Sequence, residues 1–190
     1  MKRIVAALLL AGLGMGQALG ADSAGEAITS FGLLGSWSVD CSKPPTQTCV
    51  PNVGCGARTT YEISPTGAPI IHNVVGSFFP GQGPSRIEVT VESAERIGDD
   101  KIKLVSVQQG MPGQFSKVVW IRQPGERWET VLLKVGTKYR WFSHQQINGP
   151  KVSAKDGFEV RPPPDTGYDK MPVSWVTSDK PTPLFERCSD

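Results

Sequence analysis

The stretch Ile87-Glu88-Val89-Thr90-Val91-Glu92 places apolar side chains at odd positions and polar side chains at even positions. A period of two residues predicts a β-strand with one buried face. The chain then turns at Gly98-Asp99-Asp100, and a second β-rich run, KIKLVSVQ, follows at residues 101–108. Together the two runs predict an antiparallel β-hairpin, which is the first indication of the fold class.

Similar runs recur on both sides of this hairpin. Further strands are predicted at residues 35–41, 58–63, 69–79, 115–122, 127–135 and 138–147, with one or two short strands within residues 151–160. Those at 115–122 and 127–135 are predicted to pair around Pro124-Gly125. Short successive strands with tight turns indicate an all-β fold: an antiparallel meander of about eight strands, closed or strongly curved into a barrel. A β-sandwich is the alternative.

Composition outside the first twenty residues also favours strands. This part of the chain holds 17 Val and 9 Ile against 6 Leu and 7 Ala, together with all 16 Pro. β-Branched residues favour strands, and many prolines disfavour long helices. We expect one domain over residues 21–190, with a short helix or turn at 24–34, a rigid loop at 42–57 and an irregular Pro-rich wrap at 160–184.

The first twenty residues have the three parts of a secretory signal peptide. Lys2 and Arg3 give a positive start, residues 4–13 are apolar, and Ala18-Leu19-Gly20 puts small residues just ahead of an expected cleavage before Ala21. Without this segment 18 Lys+Arg face 18 Asp+Glu, because it contains two of the 20 basic residues and no acidic one. A net charge of zero argues against a nucleic-acid partner. We therefore expect an exported protein, periplasmic or secreted, without a membrane span.

Four cysteines, an even number, predict two disulfides in an exported chain. Three pairings are open. We favour Cys49–Cys55, which closes a short loop, and Cys41–Cys188, which ties the first strand to the C-terminus. A zinc site is disfavoured because C-x-x-C is absent and neither histidine is near these cysteines, so no metal is predicted.

The two ends of the domain carry a resemblance. Residues 35–45 (GSWSVDCSKPP) and 180–188 (KPTPLFERC) resemble the G-x-W-x-x-D-C start and the T-P-x-L-x-x-C-like end of a group of small, uncharacterised secreted proteins of alphaproteobacteria. Members with one cysteine at each end imply the Cys41–Cys188 pairing. This chain departs from the group by its two additional cysteines and its longer Pro-rich segment. The group has no known activity to carry over.

A broader resemblance is to lipocalin-like barrels. Gly35-Ser36-Trp37, after a short helical lead-in, is similar to the first-strand motif of those proteins. The resemblance implies that Trp37 plugs the closed end of the barrel and that Arg187 stacks across it through a cation–π contact. Both residues would then hold the fold rather than bind a ligand.

Catalytic motifs are absent from the sequence. It contains no phosphate loop, dinucleotide fingerprint, H-E-x-x-H or G-x-S-x-G pattern. A hydrolase would need His72 or His144 as its base, and both fall within predicted strands, where a satisfied or exposed histidine is the usual case. Ser143 does not serve His144 as a nucleophile, because neighbours on a strand point to opposite faces. We predict a non-enzymatic protein without a cofactor.

Aromatic residues give the strongest indication of a binding surface. Trp120, Trp128, Tyr139 and Trp141 are predicted on three successive strands. Some of these rings would line a cavity for a small apolar ligand, and the alternative is that they fill the barrel.

Phe78 and Phe79 lie on a Gly/Pro-rich loop. They would form a lid over such a cavity or a contact patch for another envelope protein. The predicted function is therefore a β-barrel module that binds a small apolar ligand. The alternative is a protein-interaction module of the cell envelope, similar to a protease inhibitor or an envelope-integrity factor.

Overall fold

The computed structural model describes residues 23–45, 56–76, 83–110 and 116–189. This part of the chain forms one helix and an antiparallel sheet of eleven strands, which curls strongly into an open half-barrel. The elements are α1 (Ala24–Phe31), β1 (Gly35–Ser38), β2 (Ala57–Ile63), β3 (Pro69–Val75), β4 (Ser85–Arg96), β5 (Lys101–Gln108), β6 (Arg127–Val135), β7 (Lys138–Gln146), β8 (Val152–Lys155), β9 (Phe158–Arg161), β10 (Val176–Pro181) and β11 (Glu186–Arg187). The predicted all-β class, meander and strong curvature are confirmed.

The sheet follows chain order almost throughout. Strands β1 to β10 pair each with the next, and β11 returns to pair with the free side of β1. The hairpin predicted from the alternating stretch is β4–β5, in which Val89 pairs with Gln108 and Arg96 with Ile102. Along β5 every second residue is buried, so that one face of the strand lies in the core, as the alternation predicts.

Helix α1 confirms the predicted helical lead-in. Ser23 and Glu26 form a capping box at its start, and Gly32 ends it in the left-handed conformation, at φ 84°. Its buried face includes Ile28 and Phe31, and it packs mainly against β4. The helix thereby covers the apolar face of the curled sheet.

The interior of the half-barrel is filled mainly by aromatic and aliphatic side chains. The ring of Trp37 lies 4.8 Å from that of Tyr139 between centroids, and its indole N–H donates to the Leu33 carbonyl at 2.7 Å. Tyr139 also stacks on Phe185 at 5.1 Å and exchanges two backbone hydrogen bonds with it. The C-terminal segment therefore contacts both β7 and β1, and joins two distant parts of the sheet.

The strand predicted at residues 115–122 is wrong over its described part, because residues 116–122 form turns and irregular backbone. Strand β6 already pairs with β5 on one edge and β7 on the other, so it offers no edge to the preceding segment. Side chains satisfy the freed backbone instead: Gln123 donates to the Val118 carbonyl at 2.7 Å, and Lys151 to the Ile121 carbonyl at 2.9 Å. Tertiary context thus overrides a high β-propensity.

The Pro-rich wrap is irregular only in part. Strand β9 includes residues 160–161, and residues 176–181 form β10, which pairs with β9 at the edge of the sheet. β10 begins with the β-branched pair Val176-Thr177, and its Pro181 lies at the end of an edge strand, where proline is tolerated. Residues 162–175 between them contain no strand, as predicted.

Cys41 and Cys188 form a disulfide, with their Cα atoms 5.4 Å apart. The favoured pairing of these two cysteines is thereby confirmed. Cys49 and Cys55 lie outside the described residues, so their pairing stays a prediction. The bridge joins the end of β1 to the residue that follows β11, and so fastens the sheet edge at which the C-terminus returns.

Removing this bridge should destabilise the protein strongly. The double variant Cys41→Ser/Cys188→Ser frees a loop with a sequence separation of 147 residues. Chain-entropy models give about 4–5 kcal/mol for a loop of this size, which is an upper value for the loss of unfolding free energy in urea. Peptide mapping under non-reducing conditions checks the pairing itself, and a Cys41–Cys49 or Cys41–Cys55 peptide would contradict it.

Candidate functional site

One end of the half-barrel holds a pocket of about 520 Å³. One wall is the turn segment 116–126, and the opposite wall is the irregular segment 162–175. The backbone N–H of Val119 donates to the Tyr168 carbonyl at 3.0 Å, so the two walls are hydrogen-bonded to each other. Strands β6, β7, β8 and β9 form its floor. The residues that line it include Trp120, Arg122, Trp128, His144, Tyr168 and Trp175.

A second, much smaller cavity of about 60 Å³ lies inside the half-barrel. Tyr61, Tyr139 and Trp141 are among the residues around it, and their packing leaves little free space. Arg122 and His144 line both cavities and therefore lie at the boundary between them. Between these two cavities of the described residues, the one with room for a small molecule is thus at the end of the half-barrel rather than in its centre.

The structure separates the aromatic residues singled out from the sequence. Trp120 and Trp128 line the end pocket, Trp141 borders the small inner cavity, and Tyr139 is buried in the core. Trp120 lies on the turn segment and not on a strand. Phe78 and Phe79 lie outside the described residues.

Most of the residues that line the pocket were not predicted as ligand-binding candidates, among them Arg122, Tyr168 and Trp175. Arg122 was assigned to a strand, and the other two belong to the Pro-rich segment, which was predicted to wrap the barrel as irregular chain. The one available signal was the presence of two aromatic residues, Tyr168 and Trp175, within a Pro-rich stretch. Nothing in the local sequence indicates that this stretch folds over the end of the sheet.

His144 lies between two tryptophan rings. Its imidazole stacks on Trp128, with ring centroids 4.6 Å apart, and on Trp141, at 4.5 Å. Its Nδ1 shares a hydrogen bond of 2.7 Å with the Thr130 hydroxyl on β6. Burial, followed by the positive charge of Arg122, lowers the pKa of His144 to about 3. The side chain is therefore a neutral, satisfied part of the aromatic floor at physiological pH.

Arg122 brings a positive charge to the inner end of the pocket. Its Nη2 donates to Ser106 Oγ at 3.0 Å, and its guanidinium lies 5.8 Å from the centre of the Trp128 ring. Burial lowers the pKa of Arg122 to about 10, so the group stays charged at neutral pH. Among the described residues Ser106 is its one hydrogen-bond acceptor, and its buried Nε has none.

Two indoles in the pocket wall also lack acceptors. The buried Nε1 atoms of Trp120 and Trp175 have no hydrogen-bond partner within the described residues. Trp128 differs, since its Nε1 donates to Glu126 at 3.3 Å. Buried donors are normally satisfied, so these two indoles and Arg122 are exceptions concentrated in one place.

A buried ion pair anchors the turn segment. Lys151, which is 5% exposed, donates to Glu126 at 2.5 Å as well as to the Ile121 carbonyl. Glu126 also accepts from the Gln123 backbone N–H at 3.0 Å. The pair thereby fastens the turn segment at Ile121 and at Glu126, on either side of Arg122.

The remaining predicted residues lie elsewhere. The Nε2 of His72 is 2.8 Å from Glu62 on the outer surface, away from both cavities. Arg187 pairs with Trp37 in the strand register, and its guanidinium lies close to Gly35. Trp37 packs against the ring of Tyr139. Among the described residues, Arg187 makes no cation–π contact with Trp37 of the kind that the lipocalin resemblance implies.

The described residues bring together no group of three or more His, Cys, Asp or Glu side chains able to hold a metal ion. Across residues 23–189, leaving out the gaps stated above, no helix has the length and hydrophobicity needed to cross a membrane.

No family model, curated protein or solved structure matches this chain. The resemblances to the alphaproteobacterial group and to lipocalin-like barrels therefore stay predictions.

Lys151→Met should destabilise the protein by about 3 kcal/mol, because it leaves Glu126 partly buried without its cation. A matched control is Lys138→Met, which removes a pair with Glu186 whose two side chains are 43% and 38% exposed. The control should cost less than about 1 kcal/mol. Urea unfolding measures both, and equal losses would contradict an anchoring role for the buried pair.

Stability should fall as the pH is lowered from about 7 to about 5. The unfolded chain protonates His144 near its ordinary pKa of 6.5, whereas the folded protein does so only near a pKa of about 3. The unfolded state thus binds the extra proton in this window, which costs about 2 kcal/mol at pH 5.

Urea unfolding of His144→Phe should show a flatter pH profile, while the surface variant His72→Gln should keep the dependence. An NMR titration that places the pKa of folded His144 near 6.5 would contradict this interpretation.

Proposed function

We propose that this chain is a non-enzymatic binding module of the bacterial envelope, which takes a small, largely apolar molecule into the pocket at the end of its half-barrel. The observation that carries the proposal is the pocket itself. Its volume of about 520 Å³ lies within the range of about 300–1,000 Å³ typical of small-molecule sites. Two tryptophan-bearing walls and an aromatic floor surround this space.

The lining suits recognition of an apolar body. Trp120 and Trp175 belong to opposite walls, Trp128 to the floor, and residues 162–164 add three consecutive prolines. Rigid aromatic and proline side chains lose little conformational entropy when a ligand packs on them. A molecule with a flat ring or a short alkyl chain would bury much of its surface here.

Binding rather than catalysis is supported by the state of His144. It is the histidine at the pocket, and its partner is a hydroxyl rather than a carboxylate. Its low pKa makes it a poor proton acceptor at neutral pH. The Cys41–Cys188 disulfide supports an oxidising compartment such as the periplasm or the extracellular space.

The alternative, a protein-interaction module of the envelope, is favoured by a different observation. The segment 168–176 contains exposed apolar side chains, with Val173 fully exposed, Tyr168 at 72% and Val176 at 51%. Exposed apolar side chains of this kind are candidates for contact with another protein. Whether a small molecule occupies the pocket distinguishes the two functions, because a protein-interaction module needs no molecule there.

Ligand binding is tested by native mass spectrometry of the purified protein and by thermal shifts across a panel of fatty acids, aromatic acids and their neutral counterparts. We expect a bound or stabilising molecule, and we expect Trp120→Ala and Trp175→Ala each to weaken its affinity by about ten-fold or more. The control Phe158→Ala removes a partly exposed ring that does not line the pocket, so it should leave the affinity unchanged. A panel without any binder would contradict the proposal.

A further inference from the structure

The charges around the turn segment do not balance. Glu126 lies 2.5 Å from the Lys151 ammonium, and it is also the carboxylate whose charge acts on Arg122. One carboxylate thus serves two cations. Among the described residues, no carboxylate oxygen lies within 4.0 Å of a nitrogen of the Arg122 guanidinium. The cluster therefore carries about one net positive charge at the inner end of the pocket.

The other cation of the pocket lining, Arg161, differs from Arg122 because its guanidinium is paired directly with Glu159. Glu159 also pairs with Lys180 at 3.4 Å and is therefore shared as well, but the side chains of Arg161 and Lys180 are 64% and 62% exposed, so water screens their charges. His144 is neutral at physiological pH, for the reasons given above. The pocket lining includes no carboxylate, and Arg122 is its one guanidinium without an ion pair among the described residues, so the least screened positive charge of the pocket resides on Arg122.

Arg122 also has unused hydrogen-bonding capacity. A guanidinium offers five N–H donors in a planar fork, which matches the two oxygens of a carboxylate. Here Ser106 is its one acceptor within the described residues, and it accepts from Nη2. The Nε lies enclosed without an acceptor, as do the indole nitrogens of Trp120 and Trp175. Leaving buried donors of this kind unpaired is costly, and an acceptor supplied by a ligand removes that cost.

From this charge balance we infer that the pocket binds an amphipathic monoanion, in which a carboxylate pairs with Arg122 and an apolar or aromatic body packs between Trp120 and Trp175. The inference rests on the proposed ligand pocket and adds the chemical class of its occupant. A single uncompensated guanidinium suits one negative charge and a planar acid, whereas a phosphate monoester carries nearly two charges at neutral pH.

The test compares 2-naphthoate with 2-naphthamide and 2-naphthyl phosphate on the unaltered protein, by isothermal titration at neutral pH. The acid and the amide share a ring system and differ in charge. We expect the carboxylate to bind about ten-fold or more tightly than the amide and more tightly than the phosphate. Decanoate against decanamide repeats the comparison for an alkyl body.

Two variants test whether the ligand carboxylate binds at Arg122. Arg122→Gln should abolish the preference for acid over amide while the amide affinity stays about the same. The matched control Arg127→Gln removes a surface guanidinium, paired with Glu92, from a position outside the pocket, and should keep the preference. Because the ligand series uses the unaltered protein, the inference stays testable if Arg122→Gln fails to fold.

The outcomes distinguish the two levels of the proposal. Equal affinity of acid and amide, or tighter binding of the phosphate, would contradict the inference that the ligand is a monoanion. Neither result would contradict the proposal that the pocket binds a small molecule. If neither the naphthyl compounds nor the decyl compounds bind, the monoanion inference and the ligand-binding proposal are both contradicted. A preference that survives in Arg122→Gln would show that the acid lies elsewhere.

Discussion

Strand β6 is hydrogen-bonded along both edges, to β5 and to β7, and the candidate site depends on this double pairing. The β-rich segment before it has no strand edge to join, so it folds into turns across the end of the half-barrel. There the buried Lys151–Glu126 pair and side-chain hydrogen bonds satisfy its polar groups. A stretch with the composition of a strand thereby becomes a pocket wall that presents Trp120 and Arg122.

The opposite wall follows from the way the chain ends. Strand β9 breaks off at three prolines, and the chain crosses the end of the sheet before β10 pairs again at the edge. The C-terminal segment then returns to β7 through Phe185 and to β1 through β11, where Cys41–Cys188 fastens it. Proline rigidity thus restricts the irregular segment of the wall, and the covalent bridge fastens the C-terminal segment that follows it.

Period-two alternation and tight turns were sufficient to predict the all-β class, the meander and the β4–β5 hairpin, because these depend on local pattern. The predicted Cys41–Cys188 bridge was confirmed as well. The course of residues 116–126 could not be predicted, because it depends on which strand edges are already occupied, and that is a property of the assembled sheet. The same holds for the site: Trp120 and Trp128 were identified from their residue type, whereas Arg122 and Trp175 meet them only after folding.

The central claim is that the end pocket is a binding site whose charge is carried by Arg122. A crystal structure of the protein grown with 2-naphthoate tests it most directly. The account predicts the naphthyl ring between Trp120 and Trp175 and a carboxylate oxygen at hydrogen-bond distance, about 3 Å, from the Arg122 guanidinium. A naphthoate bound elsewhere, or a pocket closed by Trp175 with Arg122 paired to a protein carboxylate, would contradict it.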